Sequence, residues 1–381
     1  MNTAYWRKSL LLAAVLAALL AVGLAGCGQM KSESKKPEES PAPAPVTKGS
    51  TDRQPHDVVL VYFSTDRNWT NRTEPDSMFG NGCATSLSYG SCTVSIPRNH
   101  KAGELESPSF WKLEFRENPD RHVVLLSTLI KDKAEYFKEL SDRVRNSKEK
   151  KSFLFVHGYN VTFKDAARRT AQIAYDLDFD GAPVFYSWPS QGGMGKYTVD
   201  EQNAEWAQAN IKAFLSDYIT RSRADNIYLI AHSMGNRLLT RALSELFQAD
   251  PGLRDKIKEI ILAAPDIDAR VFRRDIAPRL TEGPRKVTLY ASSRDVALAA
   301  SKKIHGSPRA GDSGSGLVVV NGVETVDATN QDTSFLGHSY IVEERSLLVD
   351  LSELMKGLRP DNRFGLRAVD AQGGRYWEFK R

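Results

Sequence analysis

The chain has 381 residues, of which 41% are apolar and 26% charged, which is ample material for a large core and excludes disorder for the bulk of it. Its formal charge of +5 falls to about +3 (5 − 2) when residues 1–26, which hold Arg7 and Lys8 and no acid, are set aside. So small an excess of cations argues for no nucleic-acid partner.

The first stretch reads as targeting sequence. Arg7 and Lys8 precede an apolar run over 10–24 that closes on Leu24, Ala25, Gly26 and Cys27. The run is short of the about 20 residues that a bilayer-spanning helix needs, and small residues before a cysteine favour cleavage there. This end resembles the signal of bacterial lipoproteins. The resemblance implies a signal peptide over 1–26 and Cys27 as a palmitate-bearing N-terminus. It also implies, with glycine and not aspartate at position 28, attachment to the outer membrane facing the periplasm. From Gly28 to about His56, Lys, Glu, Ser, Pro and Ala dominate, with Pro41, Pro43 and Pro45 among them. Such a composition cannot bury a core and predicts a disordered tether, so the organisation expected is 1–26 signal, 27–56 lipidated cysteine and tether, and 57–381 one domain.

The domain opens on an apolar strand at 57–63 that runs into Ser64, Thr65, Asp66, Arg67 and Asn68. Cys83 and Cys92 follow. Close in sequence and in a compartment that permits disulfides, they are expected to pair, a bridge contributing on the order of 2 to 3 kcal/mol; two free buried thiols are the alternative. Two cysteines without a nearby histidine pattern do not make a metal site. Strands with alternating character are predicted at 89–97, 110–115 and 123–127, on an antiparallel side of the sheet. After a helix over 132–145 the pattern becomes strand, helix, strand. Strands are predicted at 153–156, 183–187, 227–230, 260–263 and 287–291, with helices near 163–177, 200–221, 236–248 and 271–276. This is an α/β chain with a doubly wound, mostly parallel sheet and helices on both faces. Residues 191–196 lack the first glycine of a phosphate-binding loop and are expected to be a mobile loop at the sheet's C-terminal edge. Gly311, Gly314 and Gly316 read as a plain flexible connection, and 367–379 as a hairpin around Gly373 and Gly374.

The chemistry is concentrated between Asn226 and Asn236. The run Ile227, Tyr228, Leu229, Ile230 ends in Ala231, His232, Ser233, Met234 and Gly235, after which Leu238, Leu239, Ala242, Leu243 and Leu246 recur at helical spacing. A serine between strand and helix must take a strained turn to raise its hydroxyl above the sheet, so the positions two before and two after it must be small. An earlier apolar strand ends in His157, Gly158, Tyr159 and Asn160. These motifs, with Ser64 to Asn68, with Tyr290, Ala291, Ser292, Ser293, Asp295, Ala297 and Leu298, and with Gly337, His338, Ser339 and Tyr340, resemble the alpha/beta-hydrolases. Within them the chain is similar to a bacterial family of esterase/lipase-like proteins of largely unassigned function, from about Val58 to Tyr340. The resemblance implies Ser233 as nucleophile, an acid after a later strand, then a histidine, with the N–H groups of Met234 and Tyr159 as oxyanion donors. Asp295 is the expected acid and Asp266 the alternative; an N-cap is the structural role open to the first and a turn the one open to the second. His338 is the expected base, because His305 lies too far along the helix that Asp295 begins, while His157 and His232 support the motifs they flank. The activity implied is cleavage of a carboxylic ester, from a small molecule or a lipid, with no metal and no cofactor. A peptidase, thioesterase or acyltransferase with the same triad, or a non-catalytic envelope lipoprotein, are the competing readings. Trp188, Pro189, Ser190 and the loop to Tyr197 either line an acyl pocket or serve packing.

Overall fold

Strands that are apolar on both sides dictate the architecture. In β4 (Lys151–Val156), Phe153 and Phe155 enter one buried cluster while Leu154 and Val156 enter another; in β6 (Asn226–His232), Tyr228 and Ile230 alternate with Leu229 and Ala231 in the same way. Such a sheet must be covered on both faces, and βαβ crossovers supply the covers. The computed structural model describes residues 55–109, 114–193, 195–283, 286–314, 316–329, 345–371 and 373–380. The signal peptide, Cys27, nearly all of the tether and His338 lie outside these residues.

The sheet has eleven strands in the order β10-β11-β9-β8-β7-β6-β4-β5-β1-β2-β3. Its parallel part comprises β1 (His56–Trp69), β5 (Ala182–Ser187), β4, β6, β7 (Ile257–Ala263), β8 (Lys286–Ala291), β9 (Val323–Asp327) and β11 (Gly374–Phe379). β2 (Phe79–Pro97), β3 (Val124–Lys131) and β10 (Leu366–Ala371) pair antiparallel with their neighbours. One face is covered by α1 (Lys133–Arg145), α4 (Gln208–Arg221) and α5 (Gly235–Ala249), through residues such as Leu140, Phe214 and Leu239. The other is covered by α2 (Phe163–Asp176) and α7 (Arg345–Met355), through Ala167 and Leu351. α3 (Tyr197–Trp206) joins the first of these faces through Tyr197 and Ala204, and α6 (Val296–His305) follows β8. Among the described residues no helix is long and apolar enough to cross a membrane.

The helix expected over 200–221 is two helices, α3 and α4, meeting at Ala207. α3 starts earlier than expected because Asp200 in its first turn accepts from Ser190 Oγ at 2.6 Å and from Gln191 N at 2.8 Å, binding the helix to the preceding loop. The helix expected at 271–276 is three short pieces, Ala269–Val271, Phe272–Ile276 and Ala277–Thr281, the middle one π-helical. β9 is an addition. Its sequence, with Glu324 and Asp327 among its five residues, carries too much charge to read as a strand in isolation. The strand expected over 110–115 falls largely outside the described residues. The C-terminal hairpin forms, and it gains a purpose: Trp377 and Glu378 pair in parallel with Val326 and Asp327, extending the sheet.

Three expectations are corrected. Cys83 and Cys92 do not pair: both lie on β2, opposite Arg67 and Val61 of β1 respectively, and the rise along β1 between those partners puts them about 20 Å apart, against the 7 Å at which bridging fails. Both thiols are free, Cys83 exposed and Cys92 buried. Gly311 is no plain connection, because a Cβ there would stand 2.3 Å from the backbone carbon of Ala264, and its carbonyl accepts from Ser292 N at 2.8 Å. The 191–196 loop is tied down. Gln191 exchanges hydrogen bonds with Asn81 at 2.8 and 2.9 Å, and the Tyr159 hydroxyl bonds Gly193 O and Gly195 N.

Candidate active site

β6 delivers Ser233 to the sheet's C-terminal edge, and the turn it makes there is the strained one. Ser233 has φ of 48°, in the left-handed region that costs a residue with a side chain about 1 to 2 kcal/mol. Its surroundings over-determine that conformation. Ser233 N donates to Ala263 O at 2.9 Å, and Ser233 O accepts from Asn236 N at 3.1 Å, from Asn236 Nδ2 at 2.9 Å and from Asp266 N at 3.2 Å. Sequence reasoning missed Asn236. It is fully buried and its amide also donates to Ala263 O at 3.0 Å, so one side chain clamps the turn to the end of β7. The small residues have their reasons too: a Cβ on Gly235 would stand 2.4 Å from His157 O, and one on Gly158 3.0 Å from Ser233 Cβ.

The loop after β4 therefore packs directly on the serine. Within it, Asn160 N donates to Asp200 Oδ2 at 3.2 Å and Val161 N to Ser190 Oγ at 3.1 Å. The N–H groups of Tyr159 and Met234 meet no acceptor among the described residues. His157 is fully buried; Trp188 stacks on it with ring centroids 5.2 Å apart and donates its indole N–H to His157 O at 2.8 Å. Trp188 thus supports the loop. Burial, with the Arg67 charge adding to it, pushes the His157 imidazole well below its ordinary pKa, so it is neutral.

The two candidate acids have different surroundings. Asp266, after β7, is buried and saturated: Oδ1 accepts from Ser301 Oγ at 2.5 Å and Arg309 Nε at 2.7 Å, and Oδ2 from the Tyr197 hydroxyl and from Arg237 Nη2 at 3.1 Å. Burial opposes its ionisation, and the Arg237 and Arg309 guanidiniums more than offset it, holding the carboxyl below its ordinary value. Asp295, after β8, is half-buried and N-caps α6, with Oδ1 accepting from Leu298 N at 2.9 Å. β6 and β8 are separated by β7 alone, so their ends stand about 10 Å apart. Ser293 N, beside Asp295, donates to Thr329 Oγ1 at 3.1 Å, and Thr329 is the last described residue before the segment that contains His338. The loop that carries Asp295 is thereby fastened to Thr329. His305 is placed elsewhere, between Ser301 O at 2.9 Å and Glu201 Oε1 at 2.8 Å. Among the described residues no group of three or more His, Cys, Asp or Glu is arranged to hold a metal ion.

A strained serine between a parallel strand and a helix, with the loop of a neighbouring strand packed on it and further strand ends on its far side, defines an alpha/beta hydrolase. The chain belongs to the family described as alpha/beta hydrolase of unknown function, which matches residues 132–356, more than half of it. Among solved structures it is similar to lipase B of Aspergillus fumigatus (15% identity, 39% of this chain and 38% of that one, TM-score 0.25). It is similar also to AbyA5 (16%, 56% and 62%, 0.28) and to esterase B of Lactobacillus rhamnosis (10%, 81% and 89%, 0.33). The chain spans less than two thirds of the lipase and of AbyA5. No curated protein matches it.

Proposed function

We propose that the protein is a serine hydrolase that cleaves a carboxylic ester, of a small molecule or a lipid, through Ser233, His338 and Asp295. The observation that carries this reading is Ser233 held at φ of 48° above the sheet, with the Tyr159 and Met234 N–H groups beside it lacking acceptors among the described residues. Strain of this kind persists only where the surroundings enforce it, and it clusters at reactive groups.

In the mechanism the Ser233 hydroxyl adds to the ester carbonyl while His338 takes its proton. The oxyanion is received by the N–H groups of Met234 and Tyr159, each such donor being worth about 2.7 to 4 kcal/mol of barrier. His338 then protonates the departing alcohol, leaving an acyl-enzyme that water hydrolyses by the same steps; Asp295 holds the imidazole in the tautomer that accepts from serine. Asp266 is unsuited to that part, because four donors already occupy its oxygens. No step requires a metal or cofactor. The run closing on Leu24, Ala25, Gly26 and Cys27 supports a second element of the proposal, an acylated Cys27 that tethers the enzyme to the outer membrane on its periplasmic side, within reach of lipid substrates.

A fluorophosphonate probe tests the nucleophile. Wild type should be labelled stoichiometrically and Ser233→Ala not at all, and esters of increasing acyl length should then rank the substrates. A wild type inert to the probe while folded would remove the serine mechanism.

A further inference from the structure

We infer that Arg67, at the end of β1, is a positioning residue for oxyanion stabilisation, acting through Ser187 and His157 on the peptide that carries the Tyr159 N–H. The inference rests on Ser233 being the nucleophile.

Arg67 is 1% exposed, and among the described residues its guanidinium forms no ion pair within 4 Å. Its hydrogen bonds go to neutral oxygens instead: Nε to Ser187 Oγ at 2.8 Å, Nη1 to Ser190 O at 2.9 Å and to Gly80 O and Asn81 Oδ1 at 3.2 Å, and Nη2 to Val161 O at 2.7 Å. Burying a cation without a directly paired anion is unfavourable. An apolar side chain would fill the space without that penalty, so the charge and the fork of donors call for another explanation.

The directions of the hydrogen bonds supply one. Gly158 O can only accept, so His157 Nδ1, 2.9 Å from it, donates and carries the proton of the neutral ring, which leaves Nε2 an acceptor. Ser187 Oγ lies 3.2 Å from that Nε2 and donates to it, while accepting from Arg67 Nε at 2.8 Å. Gly158 C=O and Tyr159 N–H are the two ends of one planar trans peptide and point in opposite directions. Fixing the carbonyl on His157 therefore aims the Tyr159 N–H away from His157. Gly158 lies so close to Ser233 that a Cβ there would stand 3.0 Å from the serine's Cβ, so that N–H is directed beside the nucleophile. Arg67 also holds the loop's other end, through Val161 O, while Asp200 takes up the N–H of Asn160. One buried guanidinium thus restrains both ends of the segment that carries the Tyr159 N–H, which meets no acceptor among the described residues.

The test is a comparison of wild type, Arg67→Lys and Ser187→Ala. Lysine keeps the charge and loses the fork; alanine at 187 cuts the relay and leaves Arg67 in place. Each is assayed with p-nitrophenyl acetate, with a trifluoromethyl ketone whose adduct bears an oxyanion, and by a thermal melt. A misplaced donor should lower kcat by on the order of 10- to 100-fold with KM within about twofold. The affinity for the trifluoromethyl ketone should fall in proportion to kcat/KM, and the acid limb of the pH profile, which reports His338, should not move. A purely structural contact would shift melting without that proportionality. Either variant folding with kcat and ketone affinity within about twofold of wild type overturns the inference, and so does the loss of folding in both, which would assign these contacts to the fold alone. Wild type that the fluorophosphonate labels at Ser233 keeps the parent reading standing when the variants fail this test. Wild type that it does not label removes the parent reading and this inference together.

Discussion

Two aspartates compete at the residue scale, and their surroundings separate what each substitution should do. Asn caps a helix about as well as Asp, so Asp295→Asn should leave the α6 cap and the melting temperature nearly unchanged. If Asp295 orients His338, kcat should nevertheless fall on the order of 10⁴-fold, as the loss of a triad acid does. Asp266→Asn should behave in the opposite way. It would leave the buried Arg309 guanidinium without its carboxylate and the partly exposed Arg237 with Glu201 alone, at about 3 kcal/mol or more of stability, while kcat of the folded fraction stays within a few fold. Melts and single-turnover rates on the two variants decide the matter. A stable Asp266→Asn protein that is inactive beside an active Asp295→Asn would transfer the acid's role to the end of β7.

At the scale of elements, the connection from β2 to β3 is stapled onto α2 by a histidine between two carboxylates. His100 Nδ1 lies 2.8 Å from Glu106 Oε2, and Nε2 lies 2.8 Å from Asp176 Oδ1. Asp176 also accepts from Gly103 N at 2.8 Å, and Arg168 of α2 reaches the Glu106 carbonyl. Burial alone would lower the imidazole's pKa, but the hydrogen bonds to Asp176 and Glu106 outweigh it and push it up to about 9 from an ordinary 6.5. A raised pKa in the folded state means that the folded chain binds the proton more tightly than the unfolded one. The stabilisation is fully present below pH 6.5 and is lost as pH rises through about 9. Melting temperature should therefore fall over that window in wild type, and His100→Gln should be less stable at pH 6 and flatter above it. Parallel melting curves for the two proteins from pH 6 to pH 10 would refute the staple.

At the scale of the whole molecule, the proposal concerns how the domain is tethered. Among the described residues no helix is long and apolar enough to cross a membrane, and the anchor proposed above is the acylated Cys27 of the N-terminal segment. One acyl chain binds a bilayer only marginally, and a lipoprotein cysteine carrying several would hold the enzyme firmly. Cys27→Ser should abolish incorporation of radioactive palmitate and move the protein out of the detergent phase. Unchanged incorporation in the variant would sink the anchoring proposal.

Features whose causes are local were legible in the sequence. The twofold apolar character of β4, β6, β7 and β8, the small residues around Ser233 and the capping aspartate before Val296 are consequences of backbone geometry over a few residues, and periodicity and residue size express them directly. Tertiary structure decided whatever depends on long-range pairing. Cys83 and Cys92 are close in sequence, yet the sheet holds them apart, because β2 pairs them with Arg67 and Val61, distant positions of β1. Asp266 and Asp295 look alike as strand-end acids, and only the arrival of Arg237 from α5 and Arg309 from a later loop saturates the first. Glu324 marks β9 as polar until Arg363, from beyond α7, lies within 3.6 Å of its carboxylate. Arg67 sits in a motif the sequence singled out, but its meaning lies in Ser187 and His157, far away along the chain and brought together with it by the sheet. Local sequence sets which conformations a segment can adopt, whereas the partner that satisfies a buried polar group is fixed only when the strands come together.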